Sequence, residues 1–450
     1  MSTKCNRREF FRTGSALAGA AIFTPYLFSS EQPERKKGPN DRLTIGAIGV
    51  SQYRPGVWDH EEAFDGRGTV DARNAAQYGE MVAAADVYLP HVEKFASYFP
   101  GIQTFQDYRE IIDDPTVDVV TIGTPDHWHA KIAIEAMKAG KAVYVEKPLT
   151  LTMEECRKLA KVSRETGAIV QVGSQQRTEN STFVKAAAIC RTGRLGKIKS
   201  AYCSCPTNES VGHRGVFEDK TPFRSEPVPD GLDWNFWLGQ APWVEYCPER
   251  CFYNFRWWRD YSGGEITNWG AHNVDIATWM MDICDQSPVE ISGTGTFPNI
   301  ENWYDVAMSF DVTVRYADGK MIQIVSGINE VIITGERGRI RANRGRLTGK
   351  PVEELTQKDE EELNEKIAEM MNGKATGDHM KNFFECVADG TQPVSDILST
   401  VNGMNVCHMA NICLETGKTL HWNQEKYEFD EPEATAKIAR SPRPGFEINA

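Results

Sequence analysis

Two clusters in this sequence of 450 residues combine groups able to hold charge and move protons. The first is Glu146-Lys147-Pro148, directly after the apolar run AVYV. A buried strand would be leaving its sheet there, so the turn would present a carboxylate and an ammonium at the strand's carboxyl end, on a chain stiffened by proline. The alternative is an ordinary surface Glu-Lys pair. The second cluster is Gly263-Gly264-Glu265-Ile266-Thr267-Asn268-Trp269-Gly270-Ala271-His272-Asn273-Val274-Asp275. In a helix, Asn268 and His272 share a face four residues apart, and Asp275 follows three residues later. Histidine titrates near neutrality and can take a proton, the chemistry of a general base; a core histidine is the alternative.

Elements able to position these groups are visible on both sides of them. Apolar runs at Leu43 to Val50, Met81 to Val87, Val117 to Gly123, Ala142 to Val145 and Ile169 to Val172 read as buried parallel strands. Helical patterns lie between them, near His91 to Tyr98, Lys131 to Ala139 and Met153 to Thr166. Thr152 with Glu155 fits a capping box for the last, and Gly167 fits its stop. This alternation predicts an α/β fold, a doubly wound sheet with ligands at the strands' carboxyl ends. After about residue 195 strand-like runs follow one another instead: Ile198 to Cys203, Val289 to Gly295, Val306 to Tyr316, Met321 to Ser326 and Val331 to Thr334. Short turns such as Ala317-Asp318-Gly319 predict a mostly antiparallel sheet, covered by helices at about 268–281, 379–389 and 397–416. The charged stretch Gln357 to Lys366 reads as a solvated helix or loop. The domains expected are 41–167 and 168–450, after a polar linker at 31–40.

The first strand ends in Gly46-Ala47-Ile48-Gly49-Val50-Ser51, where a dinucleotide-binding fold places its glycine-rich turn, although a generic tight turn fits too. Ser51 stands where the second glycine of G-x-G-x-x-G belongs. Asp86 closes the second strand, where a carboxylate accepts hydrogen bonds from ribose hydroxyls and repels a 2′-phosphate, favouring NAD over NADP. It follows Gly49 by 37 residues, so an insertion, Val57 to Tyr78, is expected as a loop near the cofactor. The third strand leads into Thr124-Pro125-Asp126-His127-Trp128-His129. Asp126 could cap the next helix, and the histidines either pack, cap or reach the cofactor's edge.

The net charge of -13 argues against a nucleic-acid partner, since an acidic body repels a phosphate backbone. No internal apolar run reaches the roughly 18 to 20 residues of a membrane span. Asn6-Arg7-Arg8-Glu9-Phe10-Phe11-Arg12, followed by SALAGAAIFTPYLF, resembles a twin-arginine export signal; a basic amphipathic tail is the alternative. The resemblance implies export of a folded chain by the twin-arginine translocation machinery, to the periplasm or beyond. With no clear A-x-A site, an uncleaved anchor in residues 1–30 stays open. A chain folded before export folds among reduced thiols, so the eleven cysteines read as mostly free and buried. Cys203-Ser204-Cys205 and Cys247 with Cys251 lack C-x-x-C spacing, and no metal site is expected.

TPDHWHAKIAIEAMKAGKAVYVEKPLT, residues 124–150, resembles the signature of the glucose-fructose oxidoreductase, inositol dehydrogenase and MocA (Gfo/Idh/MocA) family, a resemblance running from about residue 42 to the end. It implies a Rossmann domain binding NAD through Gly46, Gly49, Ser51, Asp86, Thr124, Pro125, His129, Glu146 and Lys147. An open-sheet domain, implied to carry substrate groups and to mediate homo-oligomerisation, follows. Lys147 is implied to lie between nicotinamide and substrate carbinol, stabilising the oxygen that becomes negative as hydride leaves. His272 falls on the family's proton-transfer histidine, and Asn268 stands where its partner is usually Asp. The aromatic stretch from Asp233 to Trp258 suits a sugar ring. Tyr253, Arg256 and Trp257 are expected in its pocket, with Gln176, Arg177 and Asp275 as further substrate-binding residues. The function expected is an exported NAD(P)-dependent oxidoreductase acting on a sugar, glycoside or cyclitol hydroxyl with a tightly bound, internally recycled cofactor. A redox-neutral NAD-dependent glycosidase is the first alternative. The second is a non-catalytic sugar or nucleotide binder, favoured by Ser51 and Asn268 and opposed by Lys147 and His272.

Overall fold

The computed structural model describes residues 42–53, 62–208, 217–218 and 220–450; the export segment and the 31–40 linker lie outside the described residues. Strand β1 (Thr44–Ile48) is buried along nearly its whole length, as its small and branched apolar side chains require. A short antiparallel hairpin, β2 (Gln52–Tyr53) with β3 (Phe64–Asp65), comes next. Helix α1 (Arg67–Ala75) then returns the chain to β4 (Glu80–Ala85). The expected loop at Val57 to Tyr78 is therefore partly the first Rossmann helix, disguised by its glycine-rich start. Helix α2 (Leu89–Ala96), β5 (Gln103–Phe105), β6 (Val119–Ile122), α3 (Asp126–Lys138), β7 (Ala142–Val145), α4 (Met153–Thr166) and β8 (Val170–Val172) complete this half.

The six strands are all parallel, in the order β5-β4-β1-β6-β7-β8. The winding reverses between β1 and β6, and the crevice at their carboxyl ends is where this architecture binds dinucleotides. Edge strand β5 has no apolar signature because Gln103 and Thr104 are exposed. Strand β8 lies past the expected boundary at 167 yet pairs with β7, since Val170 and Val172 need the same core. In α4 local signals set both ends: Thr152 accepts the Glu155 N–H, and Gly167 adopts φ +64. The Glu155 carboxylate reaches back to the Leu151 and Thr152 amides.

The second half comprises β9 (Ile198–Cys205), α5 (Glu265–Met280), β10 (Glu290–Thr296), β11 (Ser309–Arg315), β12 (Met321–Ser326), β13 (Glu330–Gly335), β14 (Gly338–Asn343) and β15 (Arg346–Thr348). Helices α6 (Gln357–Met370), α7 (His379–Asp389) and α8 (Ile397–Thr416) follow, then β16 (Leu420–Asn423) and β17 (Glu428–Phe429). The nine-stranded sheet runs β15-β14-β13-β9-β12-β11-β10-β16-β17, with β9 and β12 its parallel pair. Helices α5 and α8 pack on one face; every residue of α5 except Trp269 is buried, so its polar residues must find partners inside the protein. The ten described cysteines are free thiols, all buried except the partly exposed Cys284.

Candidate active site

The cleft opens where β1, β4, β6 and β7 end, and α5 closes its far side. Gly49, at φ +81, has room for no side chain: a Cβ would lie 2.6 Å from the Thr124 amide nitrogen. A Cβ on Gly68 would run into Gly49 O, and one on Gly123 into Gly68 Cα. Three glycines from three elements thus press the start of α1 onto the strand ends, although the hairpin insertion breaks up the linear motif. Among the described residues no side chain caps α1, whose first-turn amides suit an anion such as a diphosphate. Asp86 lines the cleft at the end of β4, and its Oδ1 accepts from Tyr88 N–H at 3.0 Å. These groups fit a bound NAD. Gly68→Ala is expected to lift α1 off the sheet, costing about 1–3 kcal/mol and at least tenfold in NAD affinity. A thermal melt with an NAD titration checks this; unchanged affinity would refute the close packing as a cofactor requirement.

The Glu-Lys turn stands at the centre of the cleft. Glu146 is buried, its Oε1 accepting from Gln175 Nε2 at 2.7 Å and Arg67 Nε at 3.2 Å. Burial pushes this carboxyl up, but Arg67 and Lys147 outweigh it and hold Glu146 below the usual range. The His129 ring spans two carbonyls, Thr124 O at 2.8 Å and Pro148 O at 2.7 Å, tying the β6 turn to the β7 turn. Lys147 Nζ donates to Asn268 Oδ1 at 2.6 Å, and Asn268 Nδ2 donates to Glu265 Oε1 at 2.9 Å. Asn268 is therefore occupied with Lys147 and does not pair with His272. Since the ammonium only donates, the amide oxygen must face Lys147.

Burial and the nearby Arg256 bring Lys147 down to about 8, although Glu146, Asp126 and Glu265 support its charge. Burial raises Glu265 to about 7. His272 lies well below its ordinary value through burial, with Lys147 and Arg344 adding to the effect. The imidazole is thus neutral at pH 7, with Nε2 3.4 Å from an Arg344 nitrogen that can only donate. If the ammonium form of Lys147 is required, activity falls as pH rises through about 8. Glu265→Gln removes an anion that stabilises that ammonium, so the alkaline limb of kcat/KM should move to lower pH. A pH–rate profile checks both; activity rising through the same range would make neutral Lys147 the base instead.

Twelve of the expected residues line this one cleft: Gly49, Ser51, Asp86, Thr124, Pro125, His129, Glu146, Lys147, Tyr253, Arg256, Asn268 and His272. Five do not. Gly46 is a packing glycine whose Cβ would overlap Ile111. Trp257 is fully buried in an aromatic core against Phe217 and Tyr253. Gln176 is buried, with Asn273 Oδ1 3.5 Å from its amide nitrogen. Arg177 and Asp275 form a buried ion pair, drawn together because neither charge reaches solvent. Residues not anticipated are Tyr53 from the inserted hairpin, Arg67, Gln175, Trp269 and, in the β14–β15 turn, Arg344. Gly345 beside Arg344 marked a turn but not its destination.

Residues 45–174 match the oxidoreductase-family model (GFO_IDH_MocA) described as an NAD-binding Rossmann fold, and residues 205–448 match that family's C-terminal alpha/beta domain. A scyllo-inositol 2-dehydrogenase (NAD(+)) of Bacillus subtilis is 38% identical over 335 residues, covering 72% of this chain and 83% of that protein. A glycosyl hydrolase family 109 protein of Shewanella pealeana is 30% identical over 176 residues, covering 36% of this chain and 38% of that protein's length. Among solved structures, myo-inositol 2-dehydrogenase from Lactobacillus plantarum has TM-score 0.56 at 18% identity, covering 85% of this chain and 99% of that one, a likeness of fold.

Proposed function

This chain belongs to the Gfo/Idh/MocA oxidoreductase family, and on that premise we propose that it oxidises a hydroxyl of a sugar, glycoside or cyclitol. The observation that carries the reading is convergence: Lys147, Asn268 and His272, from two domains, meet in the cleft that Asp86 and the uncapped α1 fit for a dinucleotide. NAD, when bound, supplies the acceptor for the hydride leaving the carbinol carbon. Lys147 stabilises the carbinol oxygen as it becomes negative, and burial strengthens that interaction. Asn268 aims the ammonium, and neutral His272 takes the hydroxyl proton, leaving a carbonyl product.

The relative aligned over most of both chains is named as a cyclitol dehydrogenase, which supports this reading over the glycosidase one. The glycosidase-named relative aligns with little more than a third of this chain. The paired arginines and apolar segment at the amino terminus support export through the twin-arginine pathway to the periplasm. An exported enzyme lacks a free nicotinamide pool, so the cofactor is carried tightly bound and regenerated in the site by a second substrate. The open sheet supplies a surface for a homo-oligomer. Denaturing the purified protein and identifying the released nucleotide tests the reading: stoichiometric NAD(H) is expected. An empty protein that binds neither NAD nor NADP would overturn it. Product analysis separates a carbonyl compound from a released aglycone.

A further inference from the structure

Arg344 is the group that the proposed chemistry leaves unexplained. It stands in the turn between β14 and β15, reaches the cleft, and lies 4.7 Å over the Trp269 ring with one nitrogen 3.4 Å from His272 Nε2. No carboxylate among the described residues pairs with it; Glu179 and Glu146 act on it only at a distance. The neighbours that act most on His272 are Lys147 from the β7 turn, Arg344, Arg67 from α1 and His379 from α7, all cationic or able to be. Each opposes the imidazolium that proton transfer would create, and burial opposes it further. The amide at position 268 gives His272 no relief, because it is engaged with Lys147 and Glu265. His272 Nδ1 is itself buried without a hydrogen-bond partner among the described residues.

A proton acceptor flanked by two cations functions well only if a negative charge arrives beside it. We propose that the substrate brings that charge: it is a sugar or cyclitol bearing a carboxylate, held by the Arg344 guanidinium next to His272. A guanidinium offers a planar fork of donors, the geometry that matches a carboxylate's two oxygens. Arg344 lies beside His272 and within electrostatic reach of Arg67 at the start of α1, so a cofactor phosphate is the competing partner that the experiment must separate. Around His272 itself the charged neighbours are cations, Lys147, Arg344 and Arg67, within a chain of net charge -13.

The inference rests on the oxidoreductase reading, and the experiment keeps the two apart. Binding of glucuronate, gluconate, glucose, myo-inositol and glucose 6-phosphate to the NADH-loaded protein is measured by calorimetry, and kcat/KM for each is measured with NAD present. The acids are expected to bind and react about 30-fold or more better than their neutral counterparts, an advantage that Arg344→Gln abolishes. The pH–rate profile with an acid substrate should place the His272 limb higher than with a neutral one. Equal use of acids and neutral sugars overturns the inference while leaving the oxidoreductase reading standing, as does preference for the sugar phosphate. Acids that bind through Arg344 without turnover support the inference and count against the reading. If Arg344→Gln weakens NAD binding and leaves the acid-to-neutral ratio unchanged, Arg344 serves the cofactor and the inference fails. The comparison across wild-type substrates alone decides the matter if the variant does not fold.

Discussion

Lys147→Met is expected to lower kcat by about 10³-fold while the protein still retains bound NAD. The substitution keeps an unbranched side chain of similar reach and removes the cation that sits 2.6 Å from Asn268 Oδ1. Its loss removes the cation assigned to the carbinol oxygen, in a cleft where burial makes a single charge count for more than in water. Nucleotide binding should persist because the groups that fit NAD, Gly49, Asp86 and the start of α1, do not bond to Lys147. Nucleotide content measured beside turnover checks the prediction; undiminished activity would remove Lys147 from the mechanism.

Asp275→Ala should cost stability rather than chemistry, about 3–5 kcal/mol. Arg177 is fully buried and donates to Asp275 twice, at 2.8 and 2.6 Å, and also to Val394 O at 2.9 Å, the Ser399 hydroxyl at 2.8 Å and Ser399 O at 3.0 Å. Removing the carboxylate leaves a buried guanidinium between the end of β8, α5 and α8 with only the more distant Asp396 to oppose its charge. The paired substitution Arg177→Met with Asp275→Leu should recover much of the loss, because neither charge then remains to be desolvated. Urea unfolding midpoints of the parent and the two variants test this. A single variant as stable as the parent would mean that water already reaches the pair.

The contrast between these two predictions marks how far the sequence could be read. Gln176, Arg177 and Asp275 carry the residue types of a sugar site and stand near its motifs, yet they look away from the cleft. Arg344, 72 residues from His272, stands in it. Nothing within a few residues of either arginine separates the two cases, since both are charged and both come shortly after a strand ends. The capped helix α4 shows the opposite situation. Its ends follow from Thr152 and Gly167, whose hydrogen bonds and left-handed backbone act within one turn of the helix.

The sequence by itself determined what short-range physics governs: the strand and helix succession, the doubly wound first half, the Glu-Lys turn at the end of a buried strand, and His272 on a helix. Only the tertiary structure decided which polar groups face one another. Lys147 and Asn268 lie 121 residues apart, so their bond depends on how the two sheets pack. The same packing turned the Asn268 amide toward Lys147 and Glu265 and left His272 beside Arg344. It also assembled a glycine contact at Gly49, Gly68 and Gly123 that no linear motif displays. Burial is what makes each of these partnerships specific, because a buried polar group must find its partner wherever the chain brings one within reach.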